Sequence, residues 1–135
     1  LGYGITGNMD FLQKIREKQT PWSLNSIGAF AGEIMLRDKA YIARTRDLIL
    51  SERNRLVKEL KEIPTYKVYP AYANFILLKV LKKGLTSFDV FEACIREGLM
   101  IRDCASFQCL DGEFVRFCIM KPGDNSRLME VLKKL

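Results

Sequence analysis

The sequence predicts an α+β fold in two layers, a small sheet covered by helices on one side and preceded by a long helical stretch. Three observations carry this. Apolar residues from Ile27 to Leu60 recur at three- and four-residue steps, four short apolar runs are bounded by Pro, Gly or Asp-Gly, and helical patterns separate the second run from the third and follow the fourth. The resulting order is long helix, two strands, helix, two strands, helix, which suits one sheet with helices on one face.

Taken in order, Met9, Phe11, Leu12 and Ile15 form a short amphipathic pattern solubilised by Lys14, Arg16, Glu17 and Lys18, too short to fold alone. Thr20-Pro21-Trp22-Ser23 reads as a helix entrance, with hydroxyl caps and a proline where a first-turn amide needs no partner. From Ile27, the residues Phe30, Ile34, Tyr41, Ile42, Leu48, Ile49, Leu56 and Leu60 mark a helix of about ten turns, or two in tandem. Ile63-Pro64 stops it. Strands follow at Lys67-Val68-Tyr69 and from Asn74 to Val80, and Ser87 caps a helix through Phe88, Val90, Phe91, Cys94 and Ile95 that Gly98 closes. Leu99-Met100-Ile101 is a third strand, Phe114 to Ile119 a fourth, and after Pro122-Gly123 either Asp124 or Asn125 caps a last helix carrying Leu128, Met129, Val131 and Leu132.

Composition narrows the function classes. The 135 residues are 48% hydrophobic and 28% charged, with no apolar run approaching a bilayer span, so a soluble, cytoplasmic protein is expected. The chain starts at Leu1, without Met or signal-peptide features, which suggests a piece excised from something longer. Twenty-two Lys plus Arg against sixteen Asp plus Glu give a net charge of +6. The lysines sit at element ends or on polar faces without interleaved aromatics, so a solvated basic surface is expected rather than a nucleic-acid interface. Four cysteines without secretory features read as reduced thiols, and with no histidine a zinc site is not expected.

Four segments, in order, resemble the C-terminal half of the histidinol-phosphate aminotransferase family. Leu1-Gly2-Tyr3-Gly4 is similar to the stretch following that family's cofactor lysine and phosphate-binding arginine, and Pro21-Trp22-Ser23-Leu24-Asn25 to its proline, aromatic and asparagine run before the interdomain helix. Ala73-Asn74-Phe75-Ile76-Leu77 resembles its Asn-Phe strand, and Phe114-Val115-Arg116-Phe117 its substrate-carboxylate strand. Within the family, Ile101-Arg102-Asp103-Cys104-Ala105-Ser106-Phe107 and its distance to Arg116 look most like the threonine-phosphate decarboxylases of cobalamin biosynthesis, which are pyridoxal-phosphate lyases.

The resemblance implies the small C-terminal domain of a pyridoxal-phosphate-dependent, aminotransferase-like fold. Residues 1–20 would be a remnant of the large cofactor-binding domain, 21–63 the interdomain helix region, and 64–135 the small α+β domain. It also implies that the parent is a homodimer acting on a small anionic amino-acid phosphate, with neither nucleic acid nor membrane as a partner. No lysine lies in a segment resembling the cofactor-lysine neighbourhood, and Gly2, Gly4 and Gly7 lack nucleotide-motif spacing. Pyridoxal phosphate is therefore expected to bind the parent and not this segment, which alone would carry no catalytic residue and be inactive. An aminotransferase for histidinol phosphate or another amino acid remains an alternative, as does a stand-alone regulatory domain binding a small ligand.

The site residues expected are Arg116, Arg102 and Asn25, all for substrate binding. An arginine inside or at the end of an apolar strand must reach solvent or an anion, and its planar fork holds a carboxylate or phosphate with paired hydrogen bonds. The alternative is an edge-strand arginine in solvent, or one paired with Asp103 or Glu113. Asn25 is also an ordinary helix cap. Trp22 reads as junction packing, Asn74 as stabilising the sheet, and Cys104 as a small buried residue.

Overall fold

The computed structural model describes residues 2–135, so Leu1 of the Leu1–Gly4 segment lies outside the described residues. The elements are α1 (Met9–Lys18), α2 (Ser26–Arg37), α3 (Lys39–Lys61), β1 (Tyr66–Val68), β2 (Phe75–Val80), α4 (Ser87–Arg96), β3 (Arg102–Asp103), β4 (Phe114–Cys118) and α5 (Pro122–Lys134). They fall into two units, Leu1–Ala43 and Arg44–Leu135.

In the first unit, Asn8 caps α1 by accepting the Phe11 amide at 3.0 Å. Pro21 does not open a helix as the sequence suggested. Trp22 has φ 64°, a left-handed turn that no helix continues through, and its side chain is 99% exposed rather than packed. The helix begins instead at Ser26, where Asn25 supplies a side-chain acceptor. The long helical pattern resolves into two helices in tandem. The break is at Asp38, whose φ of −75° and ψ of 76° end α2 and whose carboxylate accepts the Tyr41 amide at 2.9 Å to start α3. Neither α1 nor α2 contributes a buried residue.

The second unit holds the core. Its antiparallel sheet runs β1-β2-β4-β3. Alternation along β2 sends Ile76, Leu78 and Val80 to one face, where Val115 and Phe117 of β4 lie directly opposite Leu78 and Ile76. That face meets Leu56 and Leu60 of α3, Val90 and Cys94 of α4, and Leu128, Met129 and Leu132 of α5 in one cluster. The helices thus cover one side of the sheet, as the sequence indicated.

Helix ends differ from the sequence reading by a residue or more. The cap of α4 is Thr86, in a reciprocal box with Asp89, while the Ser87 amide and hydroxyl donate to Glu113 at 2.6 and 2.7 Å. Gly98, at φ 72°, closes that helix: its amide donates to the Ile95 carbonyl and the Leu99 amide to the Cys94 carbonyl, both at 2.9 Å. Because Leu99 is still leaving the helix, pairing with β4 begins only at Arg102, three residues later than expected. Helix α5 starts at Pro122 rather than behind Asp124 or Asn125. Asn125 is wholly buried instead: its Oδ1 accepts the Met120 amide at 2.9 Å, and its Nδ2 donates to the Met120 carbonyl at 2.9 Å and to Glu52 at 2.7 Å. Among the described residues, no helix is long and apolar enough to cross a membrane.

Candidate functional site

The sheet face turned away from the helices carries the charge. The alternation that buries Val115 and Phe117 turns Arg116 to the opposite side, and in the antiparallel register Arg102 lies directly across from it. Like charges directly opposite one another on neighbouring strands destabilise a sheet unless something offsets them. The carboxylates that could do so are committed elsewhere. Asp103 accepts the Ala105 amide at 3.0 Å, and Glu113 is taken by Ser87. Among the described residues, no carboxylate forms an ion pair with either arginine.

Aromatic rings surround the two guanidiniums. Arg116 Cζ lies 4.9 Å from the Phe75 ring centroid and 5.9 Å from that of Phe107, and Arg102 Cζ lies 5.7 Å from Phe107. Arg102 also donates a long hydrogen bond to Ser106 Oγ, 3.4 Å. A cleft of about 510 Å³, within the usual range for small-molecule sites, is lined by Asn74, Phe75, Met100, Arg102, Arg116 and Cys118. A larger hollow of about 660 Å³ lies along α1 beside Phe11, Lys14, Ile15 and Lys18, but it offers no planar donor fork. The arginine cleft is the better-built place for an anion.

Other residues named from the sequence take humbler places. Asn25 Oδ1 accepts the Gly28 amide at 2.8 Å, so its carbonyl side caps α2. Asn74 lines the cleft, and its backbone carbonyl accepts the Ile119 amide at 2.8 Å beyond the end of β4. Cys104 is buried, and burial pushes its thiol up despite the nearby Arg116 and Arg102, which leaves it protonated rather than nucleophilic. Cys94, deeper in the core, is pushed up to about 11 by burial. Among the described residues, no three His, Cys, Asp or Glu side chains gather as metal ligands would. Phe75 and Phe107 were not anticipated as part of the site. An exposed phenylalanine on the polar side of an alternating strand was the one available signal, and it applies to Phe75 alone.

The arginine pair thus stands on the open face of a helix-backed antiparallel sheet, in a small α+β domain. The solved histidinol-phosphate aminotransferase from Clostridium acetobutylicum superposes with a TM-score of 0.82 at 32% identity, over 96% of this chain and 38% of that one. In sequence, the chain is 36% identical to a Caldanaerobacter subterraneus protein provisionally named a threonine-phosphate decarboxylase, and 30% identical to the threonine-phosphate decarboxylase of Salmonella typhimurium. Both matches cover the whole chain but 36% of the relative, so the chain spans about a third of the curated relatives' length. No family model matches it. The chain is thus similar, throughout its length, to about a third of proteins named threonine-phosphate decarboxylase and histidinol-phosphate aminotransferase.

Proposed function

We propose that this chain is the substrate-carboxylate-holding part of an enzyme that decarboxylates L-threonine O-3-phosphate. The observation that carries the reading is the directly opposed pair Arg102 and Arg116, without a carboxylate partner and with an open cleft in front of it. Two guanidinium forks side by side suit an anion with several oxygens, and a phosphorylated amino acid carries two such groups. Asn25 is proposed as a further substrate contact through its amide nitrogen, its oxygen being used by the helix. Residues 1–20, 21–63 and 64–135 would be, respectively, a remnant of a larger domain, the interdomain helix region and the small domain.

The described cleft does not fit pyridoxal phosphate. No lysine lines it, and the half-buried Lys79 is occupied by the Asp111 carbonyl at 3.0 Å and the Phe114 ring at 5.3 Å. In our reading the cofactor is held by other parts of the full-length protein, a cytoplasmic homodimer, where it would serve as the electron sink for the reaction. The contribution of this chain is orientation. A carboxylate gripped by both forks is held in one direction, and that direction selects which bond to the α-carbon breaks.

An aminotransferase is the second reading, favoured by relatives such as the histidinol-phosphate aminotransferase of Methanococcus aeolicus, 33% identical over the whole chain. Nothing among these relatives favours a stand-alone regulatory domain. Incubation of the full-length protein with L-threonine O-3-phosphate separates the two enzymes. Release of carbon dioxide is expected, and formation of an oxo-acid without carbon dioxide would overturn the decarboxylase assignment.

A further inference from the structure

Phe107 touches both arginines, and the loop that carries it is tightly built. Asp103 Oδ1 accepts the Ala105 amide at 3.0 Å, an Asx-type turn that starts the loop. Cys104 is buried, and its amide extends the pairing with β4 by donating to the Phe114 carbonyl at 2.9 Å. The Phe107 amide then donates to the Cys104 carbonyl at 2.9 Å, and the Leu110 amide to the Phe107 carbonyl at 3.1 Å. These turns bring the chain back over the strand it has just left. The ring arrives 5.7 Å from Arg102 Cζ and 5.9 Å from Arg116 Cζ, whereas Phe75 reaches only Arg116.

A long arginine side chain gives up rotamer freedom when it binds an anion, and two adjacent guanidiniums repel one another until the anion arrives. A ring face against both cations lowers each of these costs before binding, because its quadrupole attracts the charge and its surface restricts the side chains.

We propose that Phe107 is a positioning residue for the arginine pair, holding both guanidiniums in the arrangement that takes an anionic amino-acid phosphate. Arg102, Asp103, Cys104 and Phe107 then form one device: the fork, the turn, the anchor and the ring that returns to the fork. The proposal rests on the reading of Arg102 and Arg116 as the anion clamp.

The test uses the full-length protein with L-threonine O-3-phosphate as probe, reading Kd, KM and kcat for Phe107→Leu, Phe107→Tyr, Arg116→Lys and the double variant Phe107→Leu/Arg116→Lys. Phe107→Leu keeps an apolar side chain but loses the ring face, so Kd and KM should rise about fivefold while kcat stays within about twofold. Phe107→Tyr, which retains the ring, should restore binding. In the Arg116→Lys background the effect of Phe107→Leu should shrink, since one of its two partners has lost its planar fork. Unchanged binding in Phe107→Leu, or an undiminished effect in the double variant, would overturn the positioning role. If Arg116→Lys itself leaves Kd unchanged, the clamp reading fails, whatever Phe107 does. Thermal melting of each variant separates misfolding from weakened binding, and Phe107, 38% exposed, leaves no core cavity when replaced.

Discussion

Arg116 and Arg102 were legible in the sequence for a local reason. A charged residue within an apolar strand has two ways to avoid burial, and alternation says which face it takes. Their direct opposition was not legible, because the register that pairs two residues fourteen positions apart depends on the loop between their strands. The rings of Phe75 and Phe107 were missed for the same reason, since both lie near Arg116 only through strand pairing and the loop turn. If Arg116 holds a carboxylate by two parallel hydrogen bonds, Arg116→Lys keeps the charge and loses the fork. The expected result in the full-length protein is a fall in kcat/KM of roughly thirtyfold or more, with the fold kept because the lysine stem can lie along the same strand. Near-normal kcat/KM in a folded variant would make Arg116 an ordinary surface arginine. Tyr66 offers a second test, because its hydroxyl is buried without a hydrogen-bond partner and burial raises its pKa well above the usual phenol range. Tyr66→Phe removes an unsatisfied group and should be neutral or stabilising by about 1 kcal/mol in thermal denaturation. A clear loss of stability would mean that the hydroxyl has found a partner.

At the scale of elements, the periodic segments were found, as were the close of α4 at Gly98, the end of β2 at Val80 and the start of β4 at Phe114, while the starts of α2, α4 and α5 were not. Helices α4 and α5 stand where apolar spacing put them, yet their first residues were misread because Ser87, Asp124 and Asn125 are all chemically able to cap. The structure shows what the non-capping residues do instead. Ser87 ties the start of α4 to Glu113, just before β4, and Asn125 ties α5 to the chain leaving β4 and to Glu52 of α3. Glu52 also takes two hydrogen bonds from Arg55, at 2.9 and 2.7 Å. Arg55 foremost, with the Asn125 amide adding and burial opposing, holds the Glu52 carboxyl below the usual carboxylate range. A carboxyl whose pKa is lower in the folded state adds stability above its unfolded pKa and loses it as the pH falls through the folded value. Melting temperature should therefore drop below about pH 4.5 in the native chain and less steeply in Glu52→Gln. Parallel pH profiles for the two proteins would show that Glu52 is not part of the acid transition. Asn125→Ala strands the Met120 amide and carbonyl and removes one of the two bonds to Glu52 Oε2, which keeps Arg55, and should cost about 3 kcal/mol in denaturant unfolding at neutral pH.

Across the whole chain, the fold class was legible because every long apolar period was genuine, whereas the distribution of stability was not. Apolar spacing gave Phe30 and Ile34 the same standing as Leu56 and Leu60. In the structure the first two are 66% and 54% exposed, and the last two are fully buried. Periodicity reports that a face is apolar, and it is silent on whether anything covers that face. The buried cluster belongs entirely to the unit Arg44–Leu135, with contributions from α3, all of the larger strands, α4 and α5. Helices α1 and α2 bury no residue, and helices of ten and twelve residues are marginal in water without tertiary packing. Hydrogen exchange of the 135-residue chain should therefore be uneven. Amides within 9–18 and 26–37 should exchange through local fraying, while those of β2, β4 and α5 should need opening of the shared core and be slower by about a hundredfold or more. Similar protection in α2 and β4 would contradict this, because it would require the exposed apolar face of Ile27, Phe30 and Ile34 to be covered in solution.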